Sequence, residues 1–189
     1  MPAASRHLAL VLAAFGALSC SAALAAIELN PAIKPGDSPD GFHAPGSAAE
    51  QALDRLLTLS DKDPDLGRLA VGNKERDQSK DSRLAPYFTP ALREAWAQAE
   101  AAAVRRNCGG RQVAGEACGL DIHPISCSQD ISTNGYVYRT ESSDKDRTIL
   151  SYRWPRTTEI LATYRMIRTA NRWVLDGVSC ANYLKFNME

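Results

Sequence analysis

Two β-rich runs near the C-terminus, joined by a short link, set the task for the rest of the chain. Glu159 to Arg168 reads Glu-Ile-Leu-Ala-Thr-Tyr-Arg-Met-Ile-Arg, Thr-Ala-Asn-Arg follows, and Trp173 to Cys180 reads Trp-Val-Leu-Asp-Gly-Val-Ser-Cys. β-Branched and aromatic residues alternating around a polar turn predict an antiparallel hairpin. Ile160, Ala162, Tyr164 and Met166 fall on one face; Leu161, Thr163, Arg165 and Ile167 fall on the other. Trp173 and Leu175 share a face, which Val178 rejoins if Gly177 permits a bulge. Nothing later in the chain is expected to cover this hairpin, so its cover must come from earlier elements.

Two amphipathic segments supply that cover. Ser47-Ala48-Ala49-Glu50 has the form of a capping box. Ala49, Ala52, Leu53, Leu56 and Leu57 follow it at helical spacing, which predicts a helix from Ser47 to about Leu59. Thr89-Pro90 is an N-cap followed by a first-turn proline, opening a second helix over Ala91 to Asn107. Leu92, Trp96, Ala99 and Ala103 form its apolar stripe, Arg105 and Arg106 complement its C-terminal dipole, and Gly109 ends it. Between the helices, Asp61 to Arg83 mixes both signs of charge and reads as a solvated connection holding one short helical turn.

Four β candidates close the chain: Tyr136 to Thr140, Thr148 to Trp154, Glu159 to Arg168 and Trp173 to Cys180. Thr133-Asn134-Gly135 and the Ser142 to Asp146 cluster supply turns. Helices followed by a meander predict an α+β domain, with N-terminal helices packed on one face of a curved antiparallel β-sheet.

The N-terminal end reads differently. Arg6 and His7 precede an apolar run, Leu8 to Leu18, too short for a membrane anchor, and Ala23-Leu24-Ala25 offers a cleavage site. Residues 1–26 are therefore expected to be a signal peptide. Lipidation at Cys20 is the rival reading, although Leu18 lies two residues before the cysteine rather than three. Ile27 to Gly46 carries Pro31, Pro35, Pro39 and Pro45 without apolar periodicity and is expected to be a disordered arm. Residues 47–189 then form a single domain. The expected location is the periplasm or the outside of the cell, with lipid anchoring in the envelope as the alternative. Contact with a membrane is expected only if Cys20 is lipidated. Removing Arg6 from 22 basic and 22 acidic residues leaves a balance of −1, which argues against a nucleic-acid binder.

Without Cys20, four cysteines remain. An even number in an exported chain predicts two disulfides. Of three pairings, Cys108–Cys118 across Gly109-Gly110 and Cys127–Cys180 at the last strand are favoured. The cysteine spacings match no zinc motif, so no metal or other cofactor is expected.

Three segments stand out together: Tyr87-Phe88-Thr89-Pro90-Ala91-Leu92, Asp121-Ile122-His123-Pro124 with Gln129-Asp130, and Arg172-Trp173-Val174-Leu175-Asp176-Gly177-Val178. In this order they resemble a group of bacterial exported proteins of unknown function with a nuclear-transport-factor-2-like, or cystatin-like, fold. The resemblance spans roughly Ser47 to Leu184. It departs at Ile122-His123, which separates Asp121 from Pro124, and in the cysteine-bearing segment Cys108 to Cys118. It implies a cystatin-like cone with a cavity between helices and sheet. It implies no reaction, because such a fold hosts enzymes, carriers and binding modules alike.

For an enzyme, Asp130 and His123 are the candidate catalytic residues, with Asp176 as a further acid and Tyr136 or Tyr164 as donors. The competing reading gives Asp130 and Asp121 to backbone amides and leaves His123 a loop side chain. For a binding module, Trp96, Tyr136 and Tyr164 are the candidate ligand contacts. Arg139, Arg153, Arg165 and Arg168 are candidates to face an anionic ligand or an acidic partner. The preferred expectation is a non-catalytic envelope protein that binds a small molecule or a protein partner. An inhibitor or immunity-type protein is the third class.

Overall fold

The computed structural model describes residues 39–63, 66–67, 86–181 and 184–188, all within one compact unit, Ile33–Glu189. The expected signal peptide, Cys20 and most of the Asp61–Arg83 connection lie outside the described residues. The elements are α1 (Ala48–Lys62), α2 (Pro90–Cys108), β1 (Val137–Ser143), β2 (Arg147–Arg153), β3 (Ala162–Thr169), β4 (Arg172–Cys180) and β5 (Lys185–Phe186). The strands form one antiparallel sheet in the order β1-β2-β3-β4-β5.

Local chemistry sets both helix starts. Ser47 Oγ accepts from the Glu50 amide at 3.2 Å, and Glu50 Oε2 accepts from the Ser47 and Gly46 amides, both at 2.9 Å. Thr89 Oγ1 accepts from the Leu92 amide at 3.2 Å with Pro90 in the first turn, and Gly109 ends α2 at φ 63°. Each start satisfies amides that a helix otherwise leaves unpaired.

The hairpin is present with shorter arms. β3 begins at Ala162 because the chain after Pro155 does not rejoin regular pairing until there. The expected bulge is real: Arg165 faces Gly177 while Met166 faces Leu175, so Asp176 is the extra residue. This puts Leu175 and Val178 in the core alongside Tyr164, Met166, Leu150, Tyr152 and Tyr138. Leu53, Leu56, Leu57, Leu92 and Trp96 from the helices complete the same cluster.

Trp173, although it shares a face with Leu175, is only half-buried, packed at the margin of the core, because it sits at the hairpin end of β4. Two expectations need correction. The hairpin does receive cover from the C-terminal side, since Val178 and Ser179 pair with Phe186 and Lys185 of β5. Gly177 is needed there: a Cβ on it would lie 2.5 Å from the Asn187 carbonyl oxygen. The described part of the arm, 39–46, is also not a free tail. His43 and Tyr138 exchange both backbone hydrogen bonds at 2.8 and 2.9 Å, and Phe42 is only 3% exposed. The Phe42 ring lies 4.7 Å from the Arg139 guanidinium carbon and 4.6 Å from that of Arg153. Asp40 completes the dock with a 2.7 Å ion pair to Arg153. Proline density hid one aromatic whose partners lie about a hundred residues away.

Both favoured disulfides, Cys108–Cys118 and Cys127–Cys180, are formed. They fit an oxidising compartment. No helix among the described residues is long and apolar enough to cross a membrane.

Candidate functional site

The polar chemistry of the interior is concentrated on the core side of β1 to β3, where α1 and the Ile125–Ser126 segment supply hydrogen-bond partners. Alternation along the strands sends Tyr138, Tyr152 and Tyr164 to the same side, and Tyr136, just before β1, joins them against Tyr152. Tyr138 lies directly opposite Tyr152. The Tyr152 ring stands 5.5 Å from that of Tyr136 and 5.4 Å from that of Tyr164. Asp54 and Asp61, two turns apart on α1, meet this row. Tyr138 donates to Asp54 at 2.9 Å, and Tyr136 donates to Asp61 at 2.5 Å.

The other two phenols reach the segment Ile125–Ser126. Tyr164 donates to the Ile125 carbonyl at 2.7 Å, and Tyr152 donates to the Ser126 carbonyl. Burial pushes all four phenols well above the ordinary tyrosine range. The adjacent carboxylates add to this for Tyr136 and Tyr138. They are therefore fixed donors at any physiological pH.

His123 holds the turn that presents those two carbonyls. Its Nδ1 accepts from the Ile125 and Ser126 amides, both at 3.3 Å, so the ring proton sits on Nε2. Nε2 is buried without a hydrogen-bond partner among the described residues, pressed against Gly67, where a Cβ would come within 2.4 Å. Burial lowers the pKa of His123, and Asp61 opposes that only in part. His123 is therefore a neutral structural acceptor, not a loop side chain in solvent.

A second polar cluster lies on the opposite face of the sheet. Arg165 donates to Asp176 at 2.7 Å and also to the Asn187 carbonyl. Thr89 donates to the other oxygen of Asp176 at 2.8 Å, and Asn187 donates to the Asp176 carbonyl at 2.7 Å. The α2 N-cap, β3, β4 and the C-terminal segment are thus joined at one carboxylate.

The sequence-derived candidates separate on this map. Asp130 is exposed, and its own amide donates to Ser128 Oγ at 3.1 Å. It neither lines the interior nor caps amides there. Asp176 is held by Arg165. Arg153 pairs with Asp40, leaving Arg168 as the exposed arginine of the candidate set on β2 and β3. Trp96 is fully buried between Phe88 at 5.1 Å and Phe186 at 6.4 Å, with no partner for Nε1 among the described residues. It is a core residue. Tyr136 and Tyr164 are together, but facing α1 and the His123 turn.

Sequence reasoning missed Asp54 and Asp61. Asp54 falls one residue after Leu53 in the helical pattern and carries no mark of its own. The spacing of two carboxylates by seven on the helix, matched to Tyr136 and Tyr138 on one strand face, was the available signal.

A scan against protein-family models, a search of curated proteins and a search of solved structures each return no match.

Proposed function

We propose that the chain is an exported, non-catalytic binding module that meets a protein partner through its surface. The observation that carries this reading is the filled interior. Trp96, Tyr138, Tyr152 and Tyr164 rank among its largest fully buried side chains, all below 2% exposure. Each of the three phenols already donates to a fixed partner within the chain. A carrier of small molecules needs open, partly unpaired volume between helices and sheet. Here the chain's own aromatics take that place.

The order of elements supports a cystatin-like cone whose mouth is closed by its own residues. The two disulfides support a periplasmic or secreted location, or an envelope site if Cys20 is lipidated. An enzyme built on Asp130 would need that carboxylate inside the fold, and its exposure speaks against this.

The test compares surface with interior. The purified domain is screened by thermal shift against cavity-sized apolar compounds, and by photo-crosslinking against envelope extract of the native host. Protein adducts without ligand-induced stabilisation are expected. A compound that raises the melting temperature, with loss of that effect in Tyr164→Phe, would reverse the reading.

A further inference from the structure

Residues 109–117 are exposed throughout and place no side chain in the core, yet they are clamped three times. The Cys108–Cys118 disulfide closes the base. Asn107 Nδ2 donates to the Cys118 and Gly119 carbonyls at 3.2 and 3.3 Å. Glu100 accepts from the Leu120 amide at 2.8 Å and from Gln112 at 3.5 Å. The Glu100 carboxylate packs so close to Gly119 that a Cβ there would meet it at 2.1 Å.

The tip is shaped as well. The Glu116 amide donates to the Val113 carbonyl at 3.2 Å, and Gly115 takes φ 84° at the third position, as a type II turn requires. The Val113 amide also donates to Cys118 Sγ at 3.4 Å. The turn leaves Val113 42% exposed, beside Ala114 and Gly115. The loop and the last turn of α2 before it carry three exposed arginines, Arg105, Arg106 and Arg111; of the nearby acids, Glu100 is held under the loop and the exposed Glu116 is turned onto Cys108 Sγ at 3.6 Å.

Fixing an exposed loop adds nothing to core burial, but it removes the ordering cost of binding. We propose that this disulfide-closed loop is the contact surface of the binding module, inserting Val113 into an apolar cleft rimmed by carboxylates on a partner protein. The complementarity is that of an apolar tip on a segment carrying three exposed arginines. The assignment rests on the binding-module reading and names its partner by chemistry.

The experiment places a photo-crosslinking residue at position 113 and, in a separate protein, at the 55% exposed control position Ile131. Both are exposed to envelope extract of the native host. An adduct is expected from position 113 and not from 131, mapping to an Asp/Glu-rich peptide. Charge reversal by Arg105→Glu, Arg106→Glu and Arg111→Glu should reduce its yield about tenfold or more. Cys108→Ser with Cys118→Ser, which frees the loop and retains Cys127–Cys180, should also weaken it. An adduct that ignores the charge reversal, or one to phospholipid, would overturn the assignment. Adducts from 131 alone would sink the loop and spare the binding module. None from either position would sink both.

Discussion

Tyr138 of β1 and Asp54 of α1, 84 residues apart in the chain, are joined by a 2.9 Å hydrogen bond across the helix–sheet boundary. The same strand also binds the arm on its free edge through His43. β1 is thus fixed from two sides by segments that precede it.

Tyr164→Phe should therefore destabilise more than Tyr138→Phe. Removing the Tyr164 hydroxyl orphans the Ile125 carbonyl in the interior, whereas Asp54 is only half-buried and can be rehydrated. About 1–3 kcal/mol is expected for the first and about 1 kcal/mol for the second. Urea unfolding of the two variants checks the order.

Deleting the arm through Gly46 should lower the melting temperature by several degrees. It removes Phe42 from the Arg139 and Arg153 guanidinium groups and Asp40 from Arg153. Phe42→Ala alone should cost about 3 kcal/mol. A deletion with an unchanged melting curve would show that the dock contributes nothing.

Glu50 makes the fold acid-sensitive. It is 1% exposed; burial alone would raise its pKa. The Ser47 and Gly46 amides, the Thr140 hydroxyl and His43 together outweigh that and hold it below 4.5. A carboxylate with a depressed folded pKa stabilises above its unfolded value and loses that contribution as pH falls through the folded value. Stability should therefore drop below about pH 4.5. Glu50→Gln should flatten that drop while costing about 1.5–3 kcal/mol at neutral pH.

His123 acts in a higher pH window. Its folded pKa lies below 6.5, so the unfolded chain binds more protons there and stability rises with pH. The contribution is complete above about 6.5 and falls as the solution is acidified toward the folded value. His123→Asn keeps an acceptor near Nδ1 but cannot titrate. Melting temperatures of the two proteins should diverge between pH 7 and 5, with the variant changing less.

The two disulfides should contribute unequally. Cys127–Cys180 spans 53 residues and Cys108–Cys118 spans 10. Chain entropy gives about 4 kcal/mol for the first and about 3 kcal/mol for the second. Paired Cys→Ala variants compared by denaturant unfolding test the ranking.

Local signals were the legible ones. Ser47, Glu50, Thr89, Pro90 and Gly109 mark their helix ends within a few residues of sequence, so capping chemistry alone places them. The meander was visible in strand alternation, and of three open cysteine pairings the favoured one, across Gly109-Gly110 and at the last strand, is formed. Long-range partners were not legible. Phe42 looks like a residue of a proline-rich tail until Arg139 and Arg153 stand around it. Trp173 has the composition of a core anchor, but its place at the hairpin end leaves it half in solvent. Asp130 stands out in the sequence and proves exposed, while Asp54 and Asp61 stand out only once β1 lies beside α1.

The Thr89–Asp176 bond spans 87 residues, and the Arg165 side chain that shares this carboxylate also binds Asn187, two residues from the last. A chain emerging from its N-terminus presents both helices long before their cover exists. α1 and α2 lack that cover until the strands that carry Leu150, Tyr164, Leu175, Val178 and Phe186 have followed them.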